Sequence, residues 1–143
     1  MTIEIIRFTS QHWQDIESQD ATAFLKPLLK PEHIALLAGG RYAYTAVSGG
    51  RIVCCGGVVE SGMGVGEAWT ILAKTCRNDF MGIHHAVKRF LDICPLKRVE
   101  ASVDCEFPAA HRWIKLLGFR MEVPRMENYC LTGNDYALYV RNR

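Results

Sequence analysis

Long apolar runs are missing from this chain: its most apolar stretches, residues 34–38 and 52–59, fall far short of the roughly 20 residues a membrane-spanning helix needs. The beginning has no signal-peptide core, because Glu4 and Arg7 stand where an uninterrupted apolar stretch is required. Charge of one sign is scarce too, since 17 basic and 15 acidic residues leave a formal net charge of +2. That balance gives no broad face for nucleic acid or an anionic membrane, so neither is expected as a partner. None of the six cysteines (Cys54, Cys55, Cys76, Cys94, Cys105, Cys130) pairs at the two-residue spacing of a zinc knuckle. The adjacent pairs Cys54-Cys55 and His84-His85 point to opposite faces of a strand or diverge around a helix. No metal is expected. Several cysteines lie inside apolar segments, which reads as reduced, mostly buried thiols rather than a disulfide framework. Repeats, low-complexity tracts and linkers are also absent.

What is present is the make-up of one globular domain: 143 residues, 49% hydrophobic and 22% charged, enough to bury one core. A cytoplasmic location, or a place in a soluble assembly, is expected. Residues 2–8 alternate Ile with polar side chains and read as a strand, after which Thr9-Ser10 offer N-cap chemistry to a helix that includes Trp13 and Ile16. Residues 21–29 and 31–37 read as two short helices broken by Pro27 and Pro31, with Gly39-Gly40 ending the second. Residues 41–47 and 51–60 are β-rich runs joined by Ser48-Gly49-Gly50, a hairpin signal. A glycine-rich turn over 61–66 leads to a fourth, more apolar strand over 67–73.

From Phe80 the period becomes helical: Phe80, Ile83, Val87, Phe90 and Leu91 form one stripe opposite His85, Lys88 and Asp92, and Pro95 marks the end. A fifth strand, residues 98–104, completes a β-α-β crossover. Pro108 suits the first turn of another helix whose inner face is Ala110, Trp113, Ile114 and Leu117, stopped by Gly118. Residues 119–123 and 136–140 read as two final strands around a polar segment with Pro124 and a turn at Thr132-Gly133-Asn134-Asp135. The expected fold class is α/β (α+β): a mixed, mostly antiparallel sheet of about seven strands flanked by helices, in the order β-α-α-β-β-β-α-β-α-β-β.

That order, with His111-Arg112-Trp113-Ile114-Lys115-Leu116-Leu117-Gly118-Phe119 near its end, resembles the GNAT superfamily of N-acetyltransferases, whose members close a helix there with a Leu-Gly-Phe turn. It is similar more closely to phage-encoded GNAT-like proteins, including podophage internal virion proteins, in that stretch and in Gly66-Glu67-Ala68-Trp69. The resemblance implies acetyl-CoA as cofactor, held by the loop that enters the main helix. The family pattern Arg-x-x-Gly-x-Gly falls on residues 77–82, with Arg77 and Gly82 in place, Phe80 where the first glycine stands, and Asp79 adding a negative charge. By the resemblance, Arg77 and the backbone of Phe80, Met81, Gly82 and Ile83 hold the pyrophosphate, and the backbone of Ile71, Leu72 and Ala73 pairs with pantetheine.

Acetyl transfer to an amine needs a neutral nucleophile and a tolerable leaving group. Glu67, at the start of the fourth strand, is the first candidate for the base and Glu60 the second, against the reading of both as solvated strand-end carboxylates. The tyrosine that protonates the leaving thiolate in many GNAT enzymes aligns with Ile114, and a family asparagine with Phe107, neither of which donates a proton. His111 is the nearby substitute by its titration range, against the reading of a rim histidine off the inner stripe. Cys105 reads as a small apolar strand-end residue, and Trp69 and Trp113 as core packing. Two functions stand open: an N-acyltransferase acting on an unidentified amine, from a monomer or homo-oligomer, and a phage structural or host-interaction protein that kept the fold and contacts other virion proteins.

Overall fold

Strand β1 (Ile3–Arg7) takes its extended form from alternating Ile and polar residues, and it pairs antiparallel with β2 (Tyr42–Ser48) from Ile3–Ser48 to Arg7–Tyr44. The computed structural model describes residues 2–23 and 25–143. Between these strands lie three helices, α1 (Ser10–Asp15), α2 (Leu25–Leu28) and α3 (Pro31–Gly39), with a 3₁₀ turn at Asp20–Thr22. The helix expected over 21–29 is therefore shorter, a 3₁₀ turn and then a single α-turn; Phe24 within that span lies outside the described residues. Pro31 sits in the first turn of α3, where its missing N–H costs nothing.

β2 turns into β3 (Arg51–Gly62) through Gly49 and Gly50, both at positive φ (56° and 77°), which gives the twist a two-residue hairpin needs. β3 is longer than the sequence suggests and β4 (Val65–Leu72) starts earlier. The reason is a second tight turn, with Met63 at φ 57° and Gly64 at φ 79°, so that Ser61-Gly62 and Val65-Gly66 are strand and not loop. After a 3₁₀ turn at Arg77–Asp79 come α4 (Phe80–Ile93), β5 (Arg98–Asp104), α5 (Pro108–Leu116), β6 (Arg120–Met126) and β7 (Tyr136–Asn142). The seven strands form one sheet in the order β1-β2-β3-β4-β5-β7-β6, antiparallel except for β4 on β5. The expected mixed seven-stranded sheet with flanking helices is present.

By its internal contacts the chain divides into two compact units, Met1–Val59 with Trp69–Arg89, and Glu60–Ala68 with Phe90–Arg143. In the first, Phe8, Trp13, Ile16, Ile34, Ala43, Cys55, Ile71 and Ala73 form one buried cluster, with half-buried Trp69 packed edge-on to Phe8 at 5.1 Å between ring centres. In the second, β5 buries Val99, Ala101 and Val103 on one face, and it pairs with β7 from Arg98–Asn142 to Asp104–Tyr136. Arg141 of β7 donates to the terminal carbonyls of both helices, Nη1 to Leu91 O (2.8 Å) and Nε to Leu117 O (3.1 Å), answering acceptors that a helix C-terminus leaves without partners. β6 is an edge strand, which is why Pro124 is tolerated in it. Among the described residues no helix is long and apolar enough to cross a membrane.

Candidate functional site

The loop between β4 and α4 is bracketed by one arginine. Arg51 Nη1 donates to Thr75 O (3.3 Å) and Thr75 Oγ1 (2.6 Å), while its Nη2 lies 3.4 Å from Asp79 Oδ2. Asp79 Oδ1 accepts a hydrogen bond from Ser48 Oγ at 2.8 Å, and the carboxylate side chain is only 6% exposed. Its charge is therefore buried and compensated on the β2–β3 side, and the objection that it would repel a phosphate loses its geometric basis.

A helix leaves its first four amides without intrahelical partners. In α4 two of these are already used, since Asp79 N donates to Cys76 O (2.9 Å) and Phe80 N to Arg77 O. In α-helical geometry Met81 and Gly82 are left, and Ile83 is the first residue inside the ladder. The four-amide set read from the sequence thus narrows to two. Arg77 is exposed and makes no ion pair among the described residues. Gly82 has a packing reason: a Cβ built there would lie 2.6 Å from Ile3 Cγ1 of β1. Two amides at the positive end of a helix, one unpaired guanidinium and an acid turned inward fit a diphosphate group.

The edge of β4 is less open than the sequence suggests. Ala73 N donates to Val53 O of β3 (3.0 Å), so by the alternation of main-chain groups Ile71 and Ala73 face β3, while Leu72 and Lys74 face the opposite edge. On that edge the segment Glu17–Gln19 is already paired: Gln19 N donates to Leu72 O (3.0 Å), Lys74 N donates to Glu17 O (2.7 Å), and Ser18 stands opposite Ala73 in an antiparallel bridge. The expectation that Ile71, Leu72 and Ala73 all offer free backbone is corrected accordingly. Of the three, only the Leu72 N–H lies on that outer edge with its bonding capacity left. The segment is held further by an Asp20–Lys74 ion pair (3.3 Å), by Gln19 Nε2 on Cys76 Sγ (3.7 Å), and by Lys26 Nζ donating to the carbonyls of Gln14 and Ile16 just before it.

In the second unit, His111 is not a rim residue. Its Nε2 lies 2.9 Å from the carbonyl oxygen of Asp104 and its Nδ1 2.7 Å from the hydroxyl of fully buried Tyr139. A carbonyl only accepts, so Nε2 carries the proton and Nδ1 of the neutral ring accepts from Tyr139 O–H. The expected inner face of the helix turns inward, with Ala110, Trp113 and Ile114 half-buried and Leu117 buried; Phe107 and His111 are half-buried beside it, and none of α5 is fully buried. Glu60, at the end part of β3, and Glu67 of β4 are both exposed, and Glu67 stands in register with Glu100 of β5, whose carboxylate is taken by Arg98 Nε (2.8 Å). A shallow, polar cavity of about 190 Å³ lies among Asp104, Cys105, Glu106, Arg125, Asn134 and Asp135. Its side chains are mutually engaged, with Arg125 on Asp135 and Asn134 Nδ2 on Asp104 Oδ2 (3.0 Å). Among the described residues no three His, Cys, Asp or Glu side chains are grouped to hold a metal ion.

Sequence reasoning missed the Glu17–Gln19 pairing and the Ser48–Asp79–Arg51 cluster. Neither leaves a local signal, since each joins residues dozens of positions apart.

No protein-family model and no curated protein sequence matches the chain. Solved structures do. The structure of Ard1 from Thermoplasma volcanium has a TM-score of 0.81 at 17% identity, over 99% of this chain and 98% of that one. A GNAT-family acetyltransferase from Streptococcus pneumoniae gives 0.68 at 15% identity over 98% of each chain. The ribosomal-protein-S18-alanine N-acetyltransferase from Escherichia coli gives 0.70 at 13% identity, over 99% of this chain and 94% of that one. The chain therefore has the fold of the GNAT N-acetyltransferases.

Proposed function

We propose that the protein is an N-acyltransferase that moves an acetyl group from acetyl-CoA to an amine. The observation that supports it is the opening of α4: two amides without helical partners beside an exposed, unpaired Arg77, with Asp79 turned inward, in an acetyltransferase fold. Arg77 and the amides of Met81 and Gly82 would hold the diphosphate, with Phe80 and Ile83 shaping the turn rather than lending N–H groups. The Leu72 N–H would meet the pantetheine arm. Bound acetyl-CoA supplies an activated thioester carbonyl. Glu67 is the proposed acceptor of the amine's proton, directly or through water, with Glu60 second. His111, with both nitrogens engaged internally, is assigned to holding α5 on β7, so the thiolate leaves without a side-chain acid at Ile114 or Phe107.

A second reading is favoured by the occupied β4 edge and by Phe80, Ile114 and Phe107: a protein of this fold that works by contact, in a virion or against a host protein, without the cofactor. Calorimetric titration with acetyl-CoA separates the two. The wild type binds, and Arg77→Glu, which alters an exposed residue, weakens binding about 10-fold or more, the scale of a lost charge-assisted hydrogen bond. Failure of the folded wild type to bind at millimolar cofactor overturns the acyltransferase reading, and unchanged affinity of the variant removes Arg77 from the site.

A further inference from the structure

We infer that Glu17–Gln19 is a displaceable strap: it occupies the main-chain edge of β4 that the pantetheine arm needs, and the cofactor site opens only when the strap leaves. The inference rests on the acyltransferase reading and adds the regulation of its site. The Ser18–Ala73 pair is of the non-hydrogen-bonded kind, flanked by the bonds Gln19 N to Leu72 O (3.0 Å) and Lys74 N to Glu17 O (2.7 Å). The strap thus uses the same outward-facing groups, Leu72 O and Lys74 N, that an extended amide-bearing ligand would pair with on this edge. Two such occupants of one edge exclude each other.

The attachment is made to be reversible. Apart from buried Ser18 it consists of two main-chain bonds, one long contact from Gln19 Nε2 to Cys76 Sγ, and an Asp20–Lys74 ion pair whose side chains are 94% and 55% exposed. Exposed pairs hold weakly and are screened by salt. The strap is tethered at one end by Lys26, whose Nζ holds the carbonyls of Gln14 and Ile16, so it can swing from its α1 end without unravelling that helix. A ligand that binds only the open form has its apparent affinity reduced by the fraction of molecules in which the strap is open.

The test uses Gln19→Pro, which deletes the N–H that bonds Leu72 O and, with the side chain, the long Nε2 contact on Cys76 Sγ. Gln19 sits at φ −59°, within proline's range, and Ser18 before it is extended, so the backbone accepts the change. Acetyl-CoA is titrated calorimetrically into wild type and variant, and amide exchange at Gln19 is followed in the wild type with and without cofactor. The expected result is about 2- to 10-fold tighter binding by the variant, the worth of one main-chain bond, and faster exchange at Gln19 when cofactor is added. Asp20→Asn, a surface change that leaves the backbone intact, shifts affinity in the same direction by a smaller factor. Binding by the variant alone also supports the strap. Equal affinities with unchanged Gln19 exchange in a cofactor-binding wild type overturn the strap and leave the acyltransferase reading standing. Binding by neither folded protein overturns both.

Discussion

At the scale of single residues, the pair Cys54-Cys55 shows how burial sets chemistry. Both thiols are buried in β3, and loss of water pushes Cys54 up to about 12 and Cys55 to about 11 from an ordinary 9.0, despite hydrogen bonds with Thr70 and Thr45 that pull the other way. The folded thiols thus keep their protons to higher pH than the unfolded ones. Above pH 9 the unfolded chain binds fewer protons, so stability falls as pH rises toward about 12, by about 1.4 kcal/mol per pH unit for each thiol in its window. Urea melts of wild type and Cys54→Ala between pH 8 and 11 measure this, and a wild type whose stability is flat above pH 9 contradicts it. Cys130 behaves oppositely: burial raises it, but hydrogen bonds from Thr132, Tyr136 and the Leu131 amide together bring it below its ordinary value. Alkylation of the native protein therefore reaches Cys130 well before Cys54 or Cys55. That the cysteines would be reduced and mostly buried was legible from their apolar neighbours, whereas the direction of the Cys130 shift was not, because its partners come from the fold of residues 130–136.

At the scale of elements, periodicity located most of the helices and strands, and tight contacts between them decided the rest. Gly82 illustrates the difference. On helix propensity alone, Gly82→Ala in α4 adds about 1 kcal/mol of stability. The structure predicts the opposite sign, a loss of about 1–3 kcal/mol, because the new methyl would meet Ile3 Cγ1 at 2.6 Å. Chemical denaturation of Gly82→Ala alone and with Ile3→Ala checks this; the double variant recovers most of the loss if the contact is the cause. The β3–β4 hairpin was misplaced from sequence for a related reason, since Met63 at φ 57° is an unusual non-glycine choice for a tight turn and hides its position. Of the proposed cofactor loop, the helix start was legible in Phe80 and the stripe that follows. Which amides are spoken for required seeing the 3₁₀ turn ahead of it.

At the scale of the whole molecule, fold and sequence part company: 99% of the chain superposes on Ard1 at 17% identity, while no family model matches. If that fold still serves acyl transfer, acetyl-CoA at about 100 times its dissociation constant stabilises the protein by about 2.7 kcal/mol, raising Tm by roughly 8 °C in a chain of this length. A thermal-shift series with acetyl-CoA, free CoA and ATP measures it, and no shift with any of them at millimolar concentration argues for the contact-only reading. The succession of strands along the chain, the mixed seven-stranded sheet and the reduced cysteines follow from the amino-acid sequence alone, because hydrophobic period, turn residues and apolar neighbours are local properties. The tertiary structure alone decided that Ser18 pairs with Ala73, that Ser48 and Arg51 neutralise Asp79, that Ile3 requires glycine at 82, and that His111 is locked between Asp104 and Tyr139. Each joins residues that the chain itself keeps apart, and their pairing is set by main-chain hydrogen bonding and steric fit once the elements have packed.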